Sequence, residues 1–350
     1  MGFTVLSVAY PLAPVGPDSV GGAEQVLSFL DQSLVAAGHR SIVVACEGST
    51  PAGKLIATPR YTGVLDGREP EAHATHREAI ERALATHQVD VIHMHGQDFL
   101  EYLPSGDVPV LVTLHVPATW YTKPLWPIGR PNVYLHCVSA SQRRTFPADI
   151  PFLPDIPNGV PYELLQSKLR KRNFALALGR IAPEKGFHIA LSAAKRAGVP
   201  MLLAGELFGY QAHEDYFEDE IAPRLDPWRR FVGPAGFARK RRLLTSASCL
   251  LMPSQVPETS SLVAMEAMAC GTPVIAFPVG ALPEIVEHGR TGFLVQDEKE
   301  MAAAIHRAEQ LSSEVCRTTA RQRFSLEHIL PYYFAQYERV IAAAHASKTD

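Results

Sequence analysis

The chain has 350 residues, more than one ordinary domain of about 100–200 residues holds, which points to two domains. Hydrophobic residues make up 47% and charged residues 20%, so a large buried core is expected and wholesale disorder is excluded. A net charge of −3 gives no field for gathering a polyanion and argues against nucleic acid as a partner.

Short β-branched runs alternate with helical patterns, the signature of parallel sheets joined by crossover helices. In the first half Phe3–Ala9, Ser41–Ala45, Val89–Met94, Val110–Leu114 and Tyr134–Val138 read as strands. Between the first two, Val26, Leu27, Leu30 and Leu34 share one helical face, with Gly38 at the expected C-cap. A stretch with Pro151, Pro154 and Pro157, spanning Pro147–Pro161, reads as the linker. Beyond it come strand Phe174–Leu178, helix His188–Ala197, strands Met201–Ala204 and Arg230–Val232, helix Ala238–Ser246, strand Cys249–Met252, helix Leu262–Met268 and strand Val274–Phe277. A last helix, Leu326–Ala344, is expected to cross back and brace the first domain. The fold class is thus α/β, two doubly wound Rossmann-like domains: 1–160 completed by 326–350, and 161–325. No internal repeat is evident.

Five cysteines, at 46, 137, 249, 270 and 316, include no Cys-x-x-Cys pair and read as small buried hydrophobes in a reducing compartment. Met1–Leu6 has no basic leader, and no apolar run reaches the about 18 residues that span a bilayer. A cytoplasmic location is expected, with peripheral membrane contact left open. Two basic runs, Lys168–Arg172 and Arg239–Arg242, read either as solvated faces or as patches for an anionic acceptor or lipid surface.

Ligands of open α/β sheets gather beyond the carboxyl ends of strands. After the first strand a loop, Tyr10–Val20, leads into Gly21-Gly22-Ala23-Glu24 and a helix; the glycines suit either a close phosphate or a simple turn. After strand Phe174–Leu178, Gly179-Arg180 through Glu184-Lys185-Gly186 sets a guanidinium and an ammonium near a helix start, fit for a diphosphate or merely solvated. After strand Cys249–Met252, Glu258 and Glu266 stand at most about 12 Å apart if helical, the reach from a donor sugar to its ribose. Ala264, Met265, Ala267 and Met268 surround Glu266, so its carboxylate needs a partner, either a ligand or the protein itself.

These motifs together, with Ala267-Met-Ala-Cys-Gly-Thr-Pro273, Val279-Gly280 to Pro283-Glu284, Gly289 to Gly292, Asp90 to His95, Thr113-Leu-His115, Val138-Ser139 and Asn158-Gly159, resemble retaining glycosyltransferase family 4, of the GT-B fold. The resemblance covers most of the chain in order. It implies that Gly21 and Gly22 approach the donor diphosphate, that Arg180 and Lys185 neutralise it, and that Glu258 contacts the transferred sugar while Glu266 holds the ribose. Backbone N–H groups of Thr259, Ser260, Ser261, Leu262 and Val263 are implied to hold sugar or phosphate, and His115 to sit near the donor sugar. The expected catalytic set is therefore Arg180, Lys185, Glu258 and His115. The chain departs from the family at Thr259-Ser260-Ser261, where Gly-Phe-Gly is usual, and this bears on donor-sugar identity.

No Asp-x-Asp metal motif is present, so the diphosphate is expected to be neutralised by Arg180, Lys185 and helix N-termini, with neither metal nor cofactor. The expected function is retaining transfer of a hexose-type sugar from a UDP or GDP donor to a sugar, lipid or small-molecule acceptor that the sequence does not identify; it is equally silent on oligomeric state. A nicotinamide dehydrogenase is disfavoured because no Gly-x-Gly-x-x-Gly follows any strand. The competing readings are a nucleotide-sugar-binding protein without transferase activity and a GT-B epimerase or phosphorylase.

Overall fold

A computed structural model describes residues 2–346 apart from Val20, Val64, Asp66 and Thr122. The end of the Tyr10–Val20 loop and positions 347–350 of the 326–350 segment expected to complete the first domain lie outside the described residues. The chain divides into two compact units: residues up to Pro157 together with those from Ile329, and Asn158–His328.

Unit 1 is built on strands β1 Thr4–Val8, β2 Arg40–Cys46, β3 Lys54–Thr58, β4 Val91–Met94, β5 Val110–Leu114 and β6 Val133–Cys137. They pair in parallel in the order β3-β2-β1-β4-β5-β6, with Leu6 between Ile42 and Ile92. Helices cover both faces of such a sheet, so its central strands are apolar throughout rather than alternating; every residue of β1, β4 and β5 is buried. Helix Gly22–Ala36 buries Val26, Leu27, Leu30 and Leu34, the face that the spacing marked. The C-terminal helix, Leu326–Ala346, returns the chain to unit 1, where Tyr333 and Tyr337 are buried against the histidine-bearing ends of the strands.

Unit 2 repeats the topology without repeating the sequence. Its strands are β7 Ala175–Leu178, β8 Met201–Ala204, β9 Arg229–Phe231, β10 Cys249–Met252, β11 Val274–Ala276 and β12 Gly292–Leu294. They pair in parallel as β12-β11-β10-β7-β8-β9. Its core joins Leu203, Leu251 and Ile275 to Leu191, Met301 and Ile305 of the covering helices.

The sequence patterns passed over β3, β12, several short helices and, among the described residues, three helices of more than ten residues. β3 is an edge strand with only Thr58 buried, and β12 has three residues, so neither offers a long apolar run. Helix Glu69–Thr86 buries Ala72, His76, Ala79, Ile80 and Ala83, a stripe of helical period made mostly of alanine and histidine, which hydrophobicity scarcely registers. Helices Glu298–Ala308 and Ser313–Phe324 are announced instead by their caps, Asp297 and Ser312, whose side chains accept from the N–H groups of Glu300 and Val315. The Pro147–Pro161 stretch contains the division between units, yet its first part is no free tether. Ile150, Leu153 and Ile156 are buried, and the Leu153 and Ile156 N–H groups donate to Leu135 and Cys137 along β6.

Candidate functional site

In each sheet the strand order reverses once, between β1 and β4 and between β7 and β10. The crevice beyond the carboxyl ends of such a pair is where open α/β sheets take ligands. In unit 2 it is bounded by the loops after β7 and β10, which carry the motifs singled out above. The two loops are fastened together: the Gln255 N–H donates to the Glu184 carbonyl at 2.8 Å. Gly186 has φ +63°, and a Cβ there would lie 2.2 Å from the Pro253 carbonyl oxygen, so only glycine permits this approach.

That closure brings together charges far apart in sequence. Lys185 Nζ lies 2.7 Å from Glu258 Oε1, and the Ser254 hydroxyl donates to the same oxygen at 2.7 Å. Arg180 Nη2 lies 2.5 Å from Glu184 Oε1. Glu258 is also held through its backbone: the Ala281 N–H donates to its carbonyl at 2.7 Å, and a Cβ on Gly280, at φ +59°, would stand 2.2 Å from that oxygen. Both cations expected to meet a diphosphate are therefore paired with carboxylates.

Helix Leu262–Ala269 follows. The Ser261 side chain caps it by accepting from the Ala264 N–H, and the first-turn N–H groups of Leu262 and Val263 have no acceptor within the helix. Because the helix begins at Leu262, Glu258 lies before it, and the helical ruler of about 12 Å expected between Glu258 and Glu266 does not apply. Of the three residues that depart from the family pattern, Ser261 is this cap, while the Ser260 Oγ is buried without a hydrogen-bond partner.

Glu266 is 1% exposed. Lys240, from helix Phe237–Ser246, places Nζ 2.5 Å from Glu266 Oε1, and both side chains are almost fully buried. The second oxygen, Oε2, is buried with no hydrogen-bond partner. A desolvated carboxylate oxygen left unbonded is costly, so Oε2 calls for a hydrogen-bond donor beyond those the protein supplies. The sequence left open whether protein or ligand would satisfy Glu266; the protein supplies one oxygen's partner and leaves the other.

In unit 1 the expected residues are Gly21, Gly22 and His115. Gly21 is the extended N-cap of helix Gly22–Ala36, and the Glu24 carboxylate lies against the place a Cβ would take, a contact that a shift of that flexible side chain would relieve. His115 follows β5, and its Nε2 lies 3.1 Å from His95 Nδ1, beyond the end of β4. His95 Nε2 is buried without a partner. Behind this pair, His93 bridges Tyr337 Oη at 2.8 Å and Thr113 Oγ1 at 2.7 Å, and Thr113 reaches His136 Nε2 at 2.6 Å.

Burial holds these rings neutral, His115 down to about 3 and His136 to about 4, with His93 and His95 also well below the usual value, their neighbours' charge adding to the effect. In the unfolded chain each ring takes a proton near pH 6.5. Unfolding at pH 5.5 therefore takes up protons, and the stability present at neutral pH is lost as pH falls below 6.5, by about 1.4 kcal/mol per ring per pH unit. Urea midpoints should accordingly drop between pH 7.5 and 5.5; a flat profile would mean that the rings are already charged in the fold.

Sequence reasoning did not single out Ser254, Lys240 or His95. Lys240 was legible in one respect: on helix Phe237–Ser246 it and Leu244 are buried one turn apart, while Arg239 and Arg242 are exposed, so the 3.6-residue period turns this one member of the basic run inward. Ser254 and His95 stand inside the motifs, but nothing in their spacing names their partners. Among the described residues no group of three or more His, Cys, Asp or Glu side chains is arranged to hold a metal ion, and no helix is long and apolar enough to cross a membrane.

Two six-stranded parallel sheets of one topology, the second with a carboxylate and lysine site at its switch point, define a two-domain α/β protein of the GT-B class. The family models described as "Glycosyltransferase Family 4" and "Glycosyl transferases group 1" match residues 20–164 and 172–310, together well over half of the sequence, and the chain belongs to glycosyltransferase family 4. It is 34% identical over 183 residues to a D-inositol 3-phosphate glycosyltransferase of Mycobacterium tuberculosis (strain ATCC 25618 / H37Rv), a match covering 49% of this chain and only 38% of that protein. The crystal structure of AviGT4, a glycosyltransferase involved in avilamycin A biosynthesis, is 26% identical with a TM-score of 0.74, covering 97% of this chain and 98% of that one. Anabaena Alr3699/HepE, solved in complex with UDP and glucose, shares the fold at 19% identity and a TM-score of 0.71, covering 95% of this chain and 99% of that one.

Proposed function

We propose that the chain transfers a sugar from a nucleoside diphosphate sugar to a hydroxyl acceptor, with retention of anomeric configuration and without a metal ion. The observation that carries this reading is Glu266, a carboxylate with one oxygen fixed by Lys240 and the other buried and unbonded. A ribose hydroxyl is a donor of the right chemistry for Oε2.

In this reading the ribose engages Glu266 and the diphosphate draws Arg180 and Lys185 away from part of their bonding to Glu184 and Glu258. Those cations, with the first-turn N–H groups at Leu262 and Val263, then stabilise the leaving diphosphate as negative charge develops on it. The bond from the anomeric carbon to the phosphate oxygen breaks and a bond to the acceptor oxygen forms on the same face, through an oxocarbenium-like state. The acceptor proton passes to an oxygen of the departing phosphate. Glu258, fixed by Ser254 and the Gly280-Ala281 turn, meets the hydroxyls of the transferred sugar, and the orphaned Ser260 hydroxyl is a specificity element beside it. The roles that the family resemblance gives to Gly21, Gly22, Thr259 and His115 belong to the same proposal.

Thermal shift with UDP, GDP and ADP tests the site and the base preference together, UDP first because the Anabaena relative was solved with it. One nucleotide should raise the melting temperature in the wild type, by about 2.7 kcal/mol of linkage at a hundredfold excess over Kd, and Glu266→Ala should abolish the shift. Glu258→Ala is expected to keep the shift while losing sugar transfer; equal loss of both would contradict its assignment to the sugar. No shift with any of the three would remove the donor assignment. Binding of a labelled donor without sugar transfer would point to a binding protein or to epimerase or phosphorylase chemistry, which product analysis separates.

A further inference from the structure

The two basic runs that the donor site leaves unused, Lys168–Arg172 and Arg239–Arg242, lie far apart in sequence but form one surface of unit 2. The Arg172 N–H donates to the Ser246 carbonyl at 2.7 Å, and Arg241 Nη1 donates to the Leu164 carbonyl at 3.0 Å, so the 164–172 segment runs alongside helix Phe237–Ser246. Lys168, Arg170, Arg172, Arg239 and Arg242 are exposed and Arg241 is half-buried, while Lys171 turns its ammonium onto the Thr272 hydroxyl and Lys240 is committed to Glu266, which leaves six cations. Neither segment contains an acidic residue, although Glu163 adjoins the first and the whole chain carries a net charge of −3. Amid the cations stand two large apolar side chains with little cover, Leu164 at 60% and Leu169 at 47% exposure.

We propose that this surface docks the protein onto an anionic lipid bilayer, with Leu164 and Leu169 entering the headgroup layer and the six cations meeting lipid phosphates. A merely solvated basic face has no use for protruding leucines, and a nucleic-acid surface would favour aromatic or polar side chains between its cations. Charge and apolar insertion together are what reversible membrane attachment requires, since either signal alone is marginal. Guanidiniums, five of the six cations, hydrogen-bond phosphate oxygens two at a time. Helix Phe237–Ser246 would then face lipid with its arginines while its Lys240 holds Glu266 on the other side, so that docking and the donor site share one rigid element. The surface itself is independent of the transferase reading.

The test is sedimentation of the full chain with vesicles of phosphatidylcholine alone or with about a third phosphatidylglycerol. Binding is expected to the anionic vesicles only and to be released as salt rises through about 0.5 M. Arg239→Glu/Arg242→Glu should lower partitioning by about thirtyfold or more, at roughly fivefold per cation. Lys168→Glu/Arg170→Glu serves as the second charge variant should the first be unstable. Leu164→Ser/Leu169→Ser should lower partitioning by about tenfold with the charge intact. Transfer to a soluble acceptor in vesicle-free buffer should be unchanged in all three variants, which keeps this test apart from that of the donor site. The proposal falls if neutral and anionic vesicles bind alike, if the charge variants bind as the wild type does, or if the chain holds a short RNA duplex and ignores both vesicles.

Discussion

Arg180→Ala is expected to lower kcat/KM by about 10²–10³, the usual consequence of removing one preorganised group from a developing anion. The Arg180 side chain is 36% exposed and its partner Glu184 lies four residues on, so the pair contributes little to folding and the melting temperature should stay within a few degrees of the wild type. Lys185→Ala should produce a loss of the same order for a second reason as well. Lys185 and Ser254 share one oxygen of Glu258, and the Gly280-Ala281 turn holds its backbone. Removing the lysine leaves the carboxylate in place but without its cation, next to an incoming diphosphate that repels it. The loss should appear in both KM and kcat, since the unpaired carboxylate repels the diphosphate on binding and again as negative charge develops on it. Steady-state rates near those of the wild type in both variants would remove the diphosphate from this loop pair altogether.

How far the sequence reaches is clear from these residues. The loops after β7 and β10 were legible because glycines, charges and strand ends are local features, and because Ala264, Met265, Ala267 and Met268 around Glu266 announce a buried carboxylate by residue type alone. What the carboxylates bond to was not legible. The pairing of Lys185 with Glu258 depends on two loops meeting at Gly186 and Pro253, a contact no spacing rule contains. The placement of Glu258 before its helix turns on Ser261 acting as the cap, whereas a helical reading of the interval from Glu258 to Glu266 assumed that the turn began earlier. β3 escaped because only one of its five residues is buried, and β12 because its three residues open on Gly292, so neither shows the apolar run that marks a central strand. The two basic runs were seen one at a time, and only the backbone hydrogen bond from Arg172 to Ser246 makes them a single surface.

Lys240→Met gives the largest expected change in stability. It strips the cation from a carboxylate that is 1% exposed and whose other oxygen already has no partner, and breaking a buried pair in this way typically costs about 3–5 kcal/mol. For a protein of this size that is roughly 10 °C in melting temperature. Lys240→Met/Glu266→Met replaces both charges by apolar groups of similar volume and should recover most of the loss, because the expense of a buried ion pair lies in desolvating two charges as much as in separating them. Nucleotide binding should separate from stability in this pair of variants. The double variant should melt near the wild type yet show no thermal shift with any nucleoside diphosphate, since the acceptor for the ribose is gone. Calorimetry on the two proteins, with and without nucleotide, reads both quantities. A single variant that melts like the wild type would show that Glu266 does not need Lys240, and a double variant that still binds nucleotide would show that the ribose does not need Glu266.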